Sequence, residues 1–294
     1  MVSIKEGYMP FNEYKTYYRV AGECQPGKTP LLLIHGGPGS THNYFELFDC
    51  LAEDGRAIIS YDQLGCGLSS MPDRAELWTM RTWLDELEAL RCYLHLDRVH
   101  LLGQSWGGMI VIQYMCDESP EGVASIILSS SVPSVKLWEQ EARRNIRFLP
   151  AEYQEALARA EADGNYEDPA FREAMMAYIK RHCFDQEQGE LPECVLRKKN
   201  FGRQAFNTAW GYLDYKAVGN LKDFEYLDKL RTVSTPSLII SGVDDECTPL
   251  VAKSMYDRLP DPQWELFAFS KHMPFLTEHD KYMQLLRSWL SDKD

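Results

Sequence analysis

The chain has 294 residues, 45% hydrophobic and 26% charged, the composition of an ordinary globular protein with a sizeable core. Its formal net charge of −13 repels a phosphate backbone or an anionic bilayer, which argues against nucleic-acid and membrane partners and favours a cationic substrate. Eight scattered cysteines form no C-x-x-C and no cluster with zinc-ligand spacing, no apolar signal segment opens the chain, and no run reaches the roughly 18 apolar residues of a membrane span; we expect a cytoplasmic protein without a metal.

Residues 1–29 contain Tyr14-Lys-Thr-Tyr-Tyr-Arg-Val20, rich in β-formers, followed by Gly22 and Pro26-Gly27, and read as a hairpin at a sheet edge. Leu31-Leu-Leu-Ile34 is a continuous apolar run, as expected of a short parallel strand buried on both faces. It ends at His35-Gly-Gly-Pro-Gly39, a loop whose glycines let the backbone approach a ligand closely. Arg56–Tyr61 is the next strand, and the Asp62 that follows it is read as a loop-fixing residue. Thr82–Leu94 carries Leu84, Leu87, Leu90 and Leu94 at helical spacing.

Val99–Leu102 leads into Gly103-Gln-Ser105-Trp-Gly107 and then into the apolar Met109–Met115. This strand, turn and helix is the context that a G-x-S-x-G nucleophile elbow requires. A serine on so sharp a turn is strained, so the residues two away must lack side chains. The turn lifts the Ser105 hydroxyl to the N-terminus of a helix, whose free N–H groups favour a developing oxyanion. We assign the two oxyanion donors to the backbone N–H groups of Gly37 and Trp106.

Ala124–Ser129 is another strand, and the alternation of strands with helices predicts a mainly parallel sheet covered on both faces. From Ser134 to Leu230 no comparable strand appears. Pro150–Ala162 reads as a helix ended by Gly164, and Asp168-Pro169 starts another that runs to about His182. The division we expect is a core of residues 1–133 and 231–294, with residues 134–230 as a helical cap over the strand ends. Its aromatics, Trp138, Phe148, Phe171, Phe201, Phe206, Trp210, Tyr212 and Tyr215, are read mostly as its own packing, with a few lining a pocket. The sheet resumes at Pro236–Ser241 and Trp264–Phe269, and residues 277–291 close the chain as an amphipathic helix.

A serine nucleophile needs a base, and the base needs an acid to hold its tautomer. In strand-turn-helix hydrolases the order is Ser, Asp, His. His272 directly follows the last strand and is the base that fits this order. The acid is Asp244 or Asp245, both of which follow the penultimate strand.

His35-Gly-Gly-Pro-Gly39, Asp62-Gln-Leu-Gly-Cys-Gly67, Gly103-Gln-Ser-Trp-Gly-Gly108 and Gly242-Val-Asp-Asp-Glu-Cys-Thr-Pro249 together resemble the proline iminopeptidase family of α/β-hydrolases. The resemblance spans nearly the whole chain and is weakest in residues 134–230. It implies a metal-free, cofactor-free enzyme that removes N-terminal residues, often proline, from short peptides. Aligned on Gly242 and Thr248-Pro249, the family pattern G-x-x-D-E-x-T-P places the catalytic acid at Asp245 and an amine-binding carboxylate at Glu246. A second amine-binding acid is implied within G-P-x-E-F; here Gly211-Tyr-Leu-Asp214-Tyr215 stands there, with Tyr212 for proline and the shorter Asp214 for glutamate. Gly36 and Trp210 complete the expected substrate contacts.

The expectation is thus a serine aminopeptidase with Ser105, His272 and Asp245 as its triad. The closest alternative keeps the triad and changes the substrate, giving an esterase, amidase or C–C bond hydrolase. A ligand receptor on the same fold is the alternative of a different class. The sequence leaves oligomeric state open, a homo-oligomer included.

Overall fold

A computed structural model describes residues 2–184 and 190–294. Eight strands form one sheet: β1 (Ile4–Phe11), β2 (Tyr14–Ala21), β3 (Leu31–Ile34), β4 (Ile58–Tyr61), β5 (Val99–Gln104), β6 (Val123–Ser129), β7 (Ser237–Gly242) and β8 (Pro262–Phe267). Their spatial order is β1-β2-β4-β3-β5-β6-β7-β8. The pairs β1–β2 and β2–β4 are antiparallel, and every pair from β4 through β3 to β8 is parallel. The expected edge hairpin is present, but its turn is Asn12-Glu13, not the later glycines. Asn12 takes the left-handed backbone (φ 51°) that a two-residue hairpin turn favours.

Ten helices accompany the sheet among the described residues: α1 (Met80–Tyr93), α2 (Trp106–Gln113), α3 (Val135–Ile146), α4 (Ala151–Asp163), α5 (Pro169–His182), α6 (Glu193–Leu196), α7 (Arg203–Ala209), α8 (Pro249–Tyr256), α9 (Pro274–Thr277) and α10 (His279–Asp292). No described helix is long and apolar enough to cross a membrane. Gly164 ends α4 in the left-handed conformation, and the Asp168 carboxylate caps α5 by accepting from the Ala170 N–H, as the sequence signals predict.

Side-chain alternation along the strands divides the core. Leu32, Ile34, Ile59, Leu101, Ile126, Leu128 and Ile239 pack on one face with α1, α2 and α8. Leu31, Leu33, Ile58, Leu102, Ile127, Leu238 and Ile240 pack on the other with α10 and the 3-10 segment His42–Asp54. Among its described residues, the segment between β6 and β7 is helical with a few isolated bridges, and it has an apolar cluster of its own built on Ala142, Leu157, Phe171, Tyr178, Leu213 and Tyr215.

The parallel strands all point their carboxyl ends to one edge of the sheet, where a functional site is expected. At this edge β5 turns into α2 through Ser105, with φ 54° and ψ −121°. A Cβ on Gly107 would lie 1.9 Å from the carbonyl oxygen of Ile34, and one on Gly103 would lie 2.4 Å from that of Gly107. The close approach of α2 to β3 thus demands glycine here. Gly107→Ala is expected to cost about 3 kcal/mol, since rigid backbone has to give way. The urea midpoint checks this, and an unchanged midpoint would mean that α2 moves aside freely.

Candidate active site

Ser105 opens onto a cavity of about 680 Å³ at this edge of the sheet. Gly36, Gly37, Trp106, Trp210, Asp214, Glu246 and His272 line the same cavity. The sequence-selected residues from the β3 loop, the β5 elbow, the insertion and the loops after β7 and β8 therefore converge on one space.

His272 follows β8, and its Nδ1 lies 2.8 Å from Oδ1 of Asp245. Asp245 is buried, and its carboxylate also accepts the Cys247 N–H at 2.9 Å. These bonds fix the carboxylate in the orientation that selects the Nδ1–H tautomer and leaves Nε2 to face the cavity. Asp244 is exposed; only its backbone is engaged, the carbonyl by His182 Nδ1 at 3.0 Å and the N–H donating to the Ser270 carbonyl at 3.2 Å. The two adjacent acids thus diverge, one buried against His272 and the other exposed. Nε2 of His272 lies 3.4 Å from Oε1 of Glu246. Burial alone would push the imidazole down, but the charges of Glu246 and Asp245 outweigh it and hold it up at about 9.

Trp106 is the first residue of α2, so the helix offers no acceptor for its N–H. Gly37 adopts φ 125°, which only glycine tolerates without strain. A short chain of bonds steadies this loop. The Gly36 N–H donates to the Tyr44 hydroxyl at 2.7 Å, which donates to Oε1 of Gln104 at 2.9 Å. A Cβ on Gly36 would meet that same Gln104 oxygen at 2.5 Å. Asp62 fixes the neighbouring loop, as expected, through the N–H groups of His42 and Leu68, each at 2.8 Å.

Two carboxylates make one end of the cavity acidic. Burial pushes Glu246 up to about 7; the neighbouring His272 opposes this, and the charges of Asp245 and Asp214 add to it. Burial also pushes Asp214 up to about 6. The Glu246 N–H donates to the carbonyl of His182 at 3.1 Å, which ties this acid to the end of α5. Carboxylates that resist ionisation in a desolvated pocket are poised to accept a cation that can pair with them.

The chain matches the alpha/beta hydrolase fold family over residues 29–279. It is 53% identical to a proline iminopeptidase of Clostridium botulinum and 52% identical to one of Lactobacillus helveticus, with all of each chain covered. The crystal structure of a proline iminopeptidase from Mycobacterium smegmatis superposes with a TM-score of 0.88 at 31% identity, covering 98% of both chains. That of VinJ superposes with a TM-score of 0.91, also at 31% identity, covering 99% of both. The chain belongs to the proline iminopeptidase family. Its fold is that of an α/β-hydrolase with a helical insertion.

Family membership agrees with the four glycine-bearing stretches that sequence reasoning singled out. Other lining residues escaped that reasoning. Tyr44 sits in an aromatic stretch with no helical period, and Gln104 is the variable position inside the elbow motif. Their common signal is a partner on the Gly36 loop, visible only in three dimensions. The reading of the insertion aromatics needs correcting. Trp138, Phe201, Phe206 and Trp210 all line the cavity, Phe171 and Tyr215 pack within the insertion, and Phe148 and Tyr212 are exposed. Tyr212, which replaces the proline of the family pattern, thus points away from the site, while Asp214 two residues later faces it.

Proposed function

We propose that the chain is a serine aminopeptidase releasing an N-terminal residue, proline favoured, from small peptides or amino-acid amides. The observation that carries this reading is the pair of desolvated carboxylates, Glu246 and Asp214, in the same cavity as Ser105 and His272. An esterase has no need of an acidic end to its pocket. A substrate with a free amino terminus supplies a cation for this end.

In this reading Ser105 Oγ attacks the scissile carbonyl while Nε2 of His272 takes its proton. The N–H groups of Gly37 and Trp106 hold the oxyanion. Collapse of the intermediate breaks the C–N bond, and His272 returns the proton to the leaving amine. Water then attacks the acyl-enzyme ester by the same proton relay and frees the amino acid. Asp245 orients the imidazole throughout. Glu246 and Asp214 bind the ammonium; Gly36, Trp210 and neighbouring aromatics contact the first residue. Residues 134–230 act as a cap that bars folded proteins. The same reading places the enzyme in the cytoplasm, where its eight free thiols stay reduced.

Prolyl and N-acetyl-prolyl arylamides test the reading directly, with a simple aryl ester beside them. We expect the acetylated substrate to lose at least about 100-fold in kcat/KM, the penalty for leaving buried charge unpaired. Turnover of the ester with none of the free-amine substrate would leave the triad standing and remove Glu246 and Asp214 from amine recognition.

A further inference from the structure

The charges around the cavity are not all acidic. Lys199 is the one lysine or arginine among the described residues that line it. It is half-buried, and among the described residues its ammonium has no carboxylate partner. Burial pushes it down from its ordinary range. Arg197, two residues earlier, is paired with both Glu46 and Glu193. A lysine that gives up water without gaining a counter-ion is costly unless a ligand supplies one.

The backbone fixes where this cation sits. The Asn200 carbonyl accepts the Gly67 N–H at 2.8 Å, and the Gly202 N–H donates to the Gly39 carbonyl at 2.8 Å. Gly39 and Gly202 approach so closely that a Cβ on Gly39 would lie 2.5 Å from the Gly202 oxygen. The stretch carrying Lys199 is therefore docked on the loops after β3 and β4, beside Gly36 and Gly37. Glu246 and Asp214 come from other elements, the loop after β7 and the turn after α7. The cavity thus takes its acids and this lysine from different elements, with Ser105 opening into the space they share.

We propose that Lys199 binds a carboxylate carried by the leaving part of the substrate. The inference rests on the aminopeptidase reading above. The acyl part is anchored by its ammonium at Glu246 and Asp214, and the leaving part extends away from them along the Gly36–Ser40 loop toward Lys199. The carboxylate belongs either to the C-terminus of a dipeptide or to an acidic second side chain; the chemistry is the same.

Three substrates separate these cases: prolyl-glycine, prolyl-glycinamide, and a prolyl-glutamyl peptide with its C-terminus amidated. Wild type is expected to favour a carboxylate-bearing substrate over prolyl-glycinamide by about tenfold in kcat/KM, chiefly through KM, as a charged hydrogen bond supplies. In Lys199→Met the ratio should fall to about one, and Lys199→Arg should restore most of it. The readout is a ratio within each variant, so a general loss of active protein cancels. Preference for prolyl-glycine assigns the carboxylate to the C-terminus, and preference for the glutamyl amide assigns it to the side chain; either supports the proposal if Lys199→Met abolishes it. Equal ratios in wild type and Lys199→Met overturn the proposal. Failure of wild type on the prolyl arylamide is a different result, because it removes the aminopeptidase reading on which the proposal stands.

Discussion

Ser105→Ala is expected to lower kcat on a prolyl arylamide by about 10⁵-fold or more, the scale seen when a serine hydrolase loses its nucleophile. The physical reason is the turn. At φ 54° the residue holds its side chain at the mouth of the cavity and at the start of α2. The other serines with a positive φ, Ser119 and Ser130, do not line this cavity. The variant should also resist labelling by a fluorophosphonate. Activity within about 100-fold of wild type would show that the nucleophile lies elsewhere.

Asp245→Asn is expected to cost about 10⁴-fold in kcat. An amide in this position presents either its oxygen or its NH₂ to Nδ1 of His272, and the second choice puts the proton on Nε2, where a base cannot use it. Asp244→Asn provides the internal comparison, because that side chain is exposed and only its backbone groups are engaged, by His182 and Ser270. It should stay within about twofold of wild type, as surface changes away from such contacts do. Reversed effects of the two substitutions would exchange the roles of these neighbouring acids. Thermal unfolding of both variants separates loss of chemistry from loss of fold.

The parts of the molecule that were legible in the sequence are those with one environment along their length. Leu31–Ile34 and the Val99–Leu102 run are buried on both faces, so their residues are almost all apolar and read plainly as strands. The elbow was legible because steric demand leaves only glycine at positions 103 and 107. Strand β1 was not, since only Met9 and Phe11 of its eight residues are buried and the alternation is weak. Helix α3 was also missed. Ser134 caps it by accepting from the Leu137 N–H, yet charged residues fill most of its surface and hide the buried Trp138 and Ala142. Segment His42–Asp54 follows a 3-10 path, which has no 3.6-residue period to detect.

Within the site the same distinction holds. Ser105 and His272 were found by their motif and their place after a strand, whereas spacing left Asp244 and Asp245 open and the resemblance chose between them. Asp214 could be named only by resemblance, because an acid in an acidic chain gives no local sign of facing a pocket. Its desolvation depends on Trp210, Ile179 and Cys183 closing around the cavity from the insertion. Lys199 carries still less signal, since it stands in a run of basic residues that reads as solvated surface.

The contact between Nε2 of His272 and Glu246 gives the resting enzyme a form of restraint. The negative charges of Glu246 and Asp245 favour the protonated imidazole, the form that cannot act as a base. In the aminopeptidase reading proposed above, an ammonium that pairs with Glu246 takes away the imidazole's largest source of anionic support and makes it a freer base. That reading makes recognition and activation one event, triggered by the substrate's own positive charge. On that reading, an acyl compound without the charge leaves the imidazole in its protonated form.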